Sequence, residues 1–175
     1  NANLQRYAEA FSFLQSKNLY TVDDLENTLH AMQDKIDMLK KSASSKQARI
    51  KEVDGLLRMV DYYKSGKPAA DKLKSIRFEK SRQKYKAGHD NELRTFYMAE
   101  RKLKPYFKDG KMPITAWRRE RKRLEQEYKD IQTELSPLYA DVKKLWAIHY
   151  NIYEVQHEQE RQNTATRQKK QEMER

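Results

Sequence analysis

Nine basic residues are packed into the stretch from Lys64 to Lys86. They are Lys64, Lys67, Lys72, Lys74, Arg77, Lys80, Arg82, Lys84 and Lys86, and only Asp71 and Glu79 oppose them. Aromatic residues are mixed in, first Phe78 and Tyr85, then Phe96, Tyr97, Tyr106 and Phe107. The chemistry this allows is capture of a polyanion. A phosphate chain is drawn to such a run by release of its counterions, and aromatic faces can stack on unpaired bases. The plainer alternative is a solvated helix face, and for any single aromatic the ordinary expectation is core packing. Within the run, Lys72, Lys74, Arg77, Lys80, Arg82, Lys84 and Lys86 are the expected phosphate contacts.

Other chemistry finds little support. No two of His30, His89, His149 and His157 fall in a metal-binding pattern such as His-X-His or His-Glu-X-X-His. His149 reads as a satisfied interface histidine and His89 as a residue that caps or packs. There is no cysteine, no glycine-rich phosphate loop and no nucleophile elbow. The expectation is a non-enzyme with no catalytic residue, no metal and no cofactor.

The distribution of charge sharpens this. Residues 64–108 hold fourteen basic and five acidic residues, so +9 of the formal +11 lies in about a quarter of the chain. Hydrophobic residues make up 37% and charged residues 36%, which favours elongated helices with narrow apolar seams over a large globular core. No stretch approaches the roughly 20 apolar residues of a membrane span. With no signal peptide and no cysteine, the expectation is a cytoplasmic chain without membrane insertion. The Asn1-Ala2-Asn3 start resembles a cleaved-tag remnant, which implies a segment of a larger protein.

The elements that must carry the basic run are helical. Leu4, Tyr7, Ala8, Phe11 and Leu14 predict a short amphipathic helix ended by Lys17-Asn18, within residues 1–20. Thr21 and Asp24 read as an N-cap pair opening a first arm, residues 21–65. Its seam is Val22, Leu25, Leu29, Met32, Ile36, Leu39, Ala43, Ile50, Val53, Leu57 and Val60, with a polar slot at Lys46. The steps alternate three and four, as in a heptad repeat. Ser65-Gly66-Lys67-Pro68 is expected to stop it. A second arm, residues 115–156, has the seam Trp117, Leu124, Tyr128, Ile131, Leu135, Leu138, Val142, Leu145, His149 and Ile152, with Arg121 as its polar slot and a kink expected near Pro137. Neither seam can be hidden alone, so the arms should zip antiparallel, with Val60 facing Trp117, Leu39 facing Leu138 and Val22 facing Val155. An intramolecular pair, hence a monomer, is favoured over a parallel homodimer by effective concentration.

Residues 66–114 would form a basic helical tip. One helix is expected over 69–86, interrupted by Gly88. A second is expected over about 91–107, with Leu93, Phe96, Tyr97 and Leu103 inward, and then a turn at Asp109-Gly110. Residues 157–175 read as a polar C-terminal extension. The fold class is therefore all-α, a long antiparallel coiled-coil hairpin with a small basic helical tip.

One series of motifs resembles a known family. Val60-Asp61-Tyr62-Tyr63-Lys64-Ser65-Gly66-Lys67-Pro68 leads to Tyr85 and then to Gly88-His89-Asp90-Asn91-Glu92-Leu93. Leu103-Lys104 and Lys111-Met112-Pro113 follow, before a long charged helix. This order over residues 20–155 resembles the C-terminal helical region of relaxases, the mobilisation nucleases of Gram-positive conjugative elements. The resemblance implies an accessory segment that binds DNA during mobilisation, single-stranded or junction DNA preferred, or that docks a coupling protein of the transfer apparatus. The tyrosine and histidine-held metal of such nucleases belong to another domain and have no counterpart here. RNA binding by a helical arm is a third expectation.

Overall fold

The computed structural model describes residues 2–173. Asn1, Glu174 and Arg175, at the ends of the expected first segment and polar extension, lie outside them. The described chain is all-α, with helices α1 (Ala2–Ser16), α2 (Val22–Ser75), α3 (Glu79–Gly88), α4 (Asp90–Leu103) and α5 (Ile114–Met173), and a 3-10 turn at Lys104–Tyr106. α2 and α5 pack together as the antiparallel hairpin that their seams require. The chain divides into two compact units, one of residues up to 41 with those from 131 onward, the other of residues 42–130.

In the first unit, α1 ends where expected. Asn18 takes the left-handed conformation (φ 56°). The Leu19 N–H donates to the Leu14 carbonyl at 3.0 Å and the Asn18 N–H to the Gln15 carbonyl at 3.0 Å, the paired bonds of a Schellman ending. Leu19 is then buried. α2 opens with a reciprocal cap: the Asp24 N–H donates to the Thr21 hydroxyl, and the Asp24 carboxylate accepts from the Thr21 N–H, both at 3.0 Å. Leu25, Leu29 and Ile36 of α2 are buried, as are Ile131, Leu135, Val142, Leu145 and Ile148 of α5. Lys35 meets Glu134 at 2.7 Å and His149 Nε2 meets Glu26 at 2.9 Å, and Lys17 pairs with Asp141. As the number rises along α2 its partner's falls along α5, which is antiparallel pairing. α1 is a correction: its expected apolar residues Leu4, Tyr7 and Phe11 are exposed, and half-buried Ala10, Phe13 and Leu14 carry what contact it has. Beyond the seam, α5 continues as a solvent-exposed helix through most of residues 157–173. Pro137 lies within α5, which continues on both sides of it.

In the second unit, Val53, Leu56, Val60, Leu103 and Trp117 form one core cluster, with Leu57 at its edge. The deeper residue is thus Leu56 rather than the expected Leu57. Around it, the polar slots of the seams are closed by charge. Lys46 pairs with Glu127 and Arg121 with Asp54, and Arg49 grips Glu120 by two bonds, at 2.8 and 3.2 Å. The Arg49 guanidinium holds the Glu120 carboxyl below the usual glutamate range, and Lys46 does the same for Glu127.

The expected helix stop at Ser65–Pro68 is overturned, because α2 runs on to Ser75 with Pro68 inside it. Gly66, Ala69, Ala70 and Leu73 fall at i, i+3, i+4 and i+7, one stripe of small and apolar residues. That stripe packs on Leu93 and Phe96 of α4 as a second core cluster. Burying Leu73, Leu93 and Phe96 contributes roughly 1.5–3 kcal/mol each. Together they outweigh the about 3 kcal/mol of a helix-interior proline, whose ring points to solvent. The expected helix over 69–86 is accordingly split: its first part belongs to α2, residues 76–78 are extended or bent, and α3 begins at Glu79. α4 is shorter than expected and yields to the 3-10 turn at Pro105, with Ala99 inward where Tyr97 was expected. The Asp109-Gly110 turn is present, both residues at positive φ (49° and 72°), with Lys108 and Lys111 exchanging two 2.9 Å backbone bonds across it. This is the geometry of a type I′ hairpin turn.

Candidate nucleic-acid interface

The break at residues 76–78 arranges the basic run. The Ser75 hydroxyl donates to the Lys72 carbonyl at 2.7 Å, a local bond that competes with the helix and closes its last turn. Phe78 is extended (φ −87°, ψ 124°), and its carbonyl accepts the Arg82 N–H at 2.9 Å to begin α3. Eleven residues after Phe78, His89 closes α3: its N–H donates to the Tyr85 carbonyl at 3.1 Å, and its Nδ1 lies 3.0 Å from the same oxygen. The imidazole stacks on the Tyr85 ring with centroids 4.0 Å apart. His89 therefore caps and packs, as expected.

Lys72 and Lys74 sit on the last turn of α2, either side of buried Leu73. Arg77 lies in the break, and Lys80, Arg82, Lys84 and Lys86 lie on α3. All seven are exposed, and among the described residues none has an ion pair. The nearby carboxylates are engaged elsewhere, Asp71 with Lys67 at 3.3 Å and Glu79 with Gln83 at 3.3 Å. The contrast with the arms is physical. There a cation faces a carboxylate across the seam; here the facing residues are apolar, so the cations at the margins find none. The seven do not share one face. At 100° per residue, Arg82 and Lys86 fall on one flank of Tyr85, and Lys80 and Lys84 on the other. α3 has no buried residue, so both flanks are open. Arg101 and Lys104, left out of the expected set, line a shallow depression with Tyr63, Glu100 and Phe107.

The aromatics separate cleanly. Phe96 is buried, stacked on Tyr63 at 5.0 Å and met edge-on by Tyr97 at 5.2 Å. Tyr106 meets Trp117 edge-on at 5.4 Å, and Phe107 meets Tyr63 at 5.8 Å. Tyr85 packs on the second cluster. Phe78 is the most open of them, 78% exposed against 37% for Tyr97 and Tyr106, and it lies between Arg77 and the start of α3.

Elsewhere, His149 is satisfied by Glu26, and among the described residues no group of three or more His, Asp and Glu side chains could hold a metal. No helix of the described residues is long and apolar enough to cross a membrane. No family model, curated protein or solved structure matches this chain.

Proposed function

We propose that this chain is a non-catalytic accessory segment that binds DNA through the basic tip, with a preference for single strands. The observation that carries the reading is the set of seven exposed cations, without ion pairs among the described residues, that flank Phe78 in the sequence, the most exposed aromatic of this segment. The cations supply phosphate attraction without sequence readout. Phe78 offers a face on which a base stacks only when it is unpaired. The biological setting we propose, from the resemblance of residues 20–155, is the C-terminal region of a relaxase, with the nicking chemistry in another domain.

The test is DNA affinity against salt for the intact chain and for a variant with Lys72, Lys74, Arg77, Lys80, Arg82, Lys84 and Lys86 all changed to Gln. Seven phosphate contacts on a single strand give a log-log salt slope of about −5, so affinity falls roughly a thousandfold from 50 to 200 mM salt. The variant should bind far more weakly and with a flat slope. Phe78→Ala should weaken single-strand binding by about tenfold and leave duplex binding unchanged. Equal binding by the chain and the seven-site variant, or no binding at 50 mM salt, sinks the proposal. Tighter binding to RNA than to DNA of equal length redirects it to RNA. The relaxase setting is read separately, from a His-hydrophobe-His motif and an early tyrosine encoded upstream.

A further inference from the structure

Tyr139, Trp146, Tyr150 and Tyr153 of α5 are 46, 51, 61 and 50% exposed. Their spacing is as regular as that of the buried seam. Tyr139, Trp146 and Tyr153 recur at every seventh residue, and Lys143, Tyr150 and His157 form a second row with the same period. Two such rows are the a and d positions of a heptad repeat. This repeat lies beside the one formed by Val142, Leu145 and His149, which α5 buries against α2 within the first unit. The ring contacts of the exposed row stay within α5, Trp146 with His149 at 5.5 Å and Tyr153 with His157 at 4.2 Å. Among the described residues, about half of each of these four side chains faces solvent.

We infer that this second seam is a self-association surface, on which α5 of a second copy packs antiparallel. Charge selects both the occupant and the direction. In an antiparallel pair each a position faces a d position of the other helix. The register that sets Tyr150 against Tyr153 of the second copy also sets Trp146 against His157 and Lys143 against Glu160. Two-fold symmetry repeats each of these contacts, so one seam complements itself. Lys143 has no ion pair among the described residues, and Glu160 has only a 3.6 Å approach from His157 on its own helix. A parallel pair would instead place Lys143 against Lys143 and Glu160 against Glu160. Sliding the antiparallel pair by one heptad would set Lys143 against Tyr153 and lose the ion pair. The area also fits. Four half-open aromatics present roughly 500 Å². Lys143, His157 and Glu160 bring the face to roughly 700 Å² per copy, close to the about 800 Å² per partner of a stable interface. Tyrosine and tryptophan are the side chains that dominate such interfaces.

The experiment is sedimentation velocity on the intact chain from 1 to about 300 μM. A reversible dimer is expected. Tyr150→Glu should weaken it at least about a hundredfold while leaving the circular dichroism unchanged, because Tyr150 already stands in solvent. Lys143→Glu and Glu160→Lys should each weaken it about fivefold, and the two together should restore it. A spin label on a single cysteine at Ala140, in a chain with no other cysteine, fixes the direction. Antiparallel pairing separates the two labels by about 35 Å along the axis, and parallel pairing sets them side by side. A monomer throughout, a dimer indifferent to Tyr150→Glu, a failed rescue, or adjacent labels would each overturn the inference.

Discussion

Replacing Gly66 with alanine puts two effects of known size in opposition. In an isolated helix the change stabilises by about 1 kcal/mol, because glycine loses more backbone freedom on folding. In this protein Gly66 is buried where α4 packs on α2. A Cβ there would lie 2.7 Å from the Cβ of Phe96 and 3.0 Å from the Glu92 carbonyl oxygen. Carbon atoms prefer about 3.5–4.0 Å. Neither neighbour is the free end of a flexible side chain, so α4 itself must retreat by about 1 Å. A gap of that size forfeits a quarter to a half of each dispersion contact in the cluster of Ala69, Ala70, Leu73, Leu93 and Phe96. Overpacking of this kind costs about 1–3 kcal/mol. The net expectation is a change between no gain and destabilisation by about 2 kcal/mol, with a Tm lower by up to about 8 °C. Gly55, in the same helix, is the control: a Cβ there meets nothing within 4 Å. Gly55→Ala should therefore stabilise by about 0.5–1 kcal/mol. Thermal and urea unfolding, followed by far-ultraviolet circular dichroism and by the fluorescence of buried Trp117, read both variants. Equal gains from the two substitutions would refute the close approach of α4 and the account of why α2 passes the Gly66–Pro68 stretch.

Other expectations follow from the same contacts. Thr21→Ala removes the hydroxyl that accepts the Asp24 N–H and should cost about 1 kcal/mol, seen as a Tm about 2–4 °C lower; an unchanged Tm would mean that this cap contributes nothing. Acid should destabilise the protein. Glu120 and Glu127 have depressed folded-state pKa values, through Arg49 and Lys46 respectively. Their contribution is complete above the unfolded glutamate range of about 4.3 and is lost as pH falls through the lower folded values. A Tm profile from pH 7 to 3 should fall below about pH 4.5 and flatten in Glu120→Gln, whereas a Tm that holds or rises on acidification contradicts the sign.

The helices, their antiparallel pairing and the place of the positive charge were legible in the residues. Hydrophobic spacing of three and four names a helix and its buried side, and two seams of equal length running in opposite directions have one economical solution. The Asn18 ending, the Thr21–Asp24 cap and the Asp109-Gly110 turn were also legible, because each is fixed by bonds within a few residues. Failures arose where local and distant forces compete. Gly66 and Pro68 carry a stop signal that any short window would accept. They are overruled by Leu93 and Phe96, more than twenty residues away. The stripe Gly66, Ala69, Ala70 and Leu73 was visible all along, but only the arrival of α4 makes it a buried face. The aromatic row of Tyr139, Trp146, Tyr150 and Tyr153 could have been found by counting sevens a second time along α5.

Charge shows the same division. Composition and spacing determined that this chain would be a helical pair with an excess of cations near its middle, since net charge and periodicity are sums over the sequence. Whether a given cation is neutralised depends on what lies across from it. Arg49 and Lys46 face carboxylates of α5, whereas Lys72 and Lys74 flank a leucine that packs on apolar α4. Which aromatics are core and which stand open was likewise decided in three dimensions. Tyr85 and Phe78 differ little as residues, but α3 begins between them and turns only Tyr85 toward a neighbour.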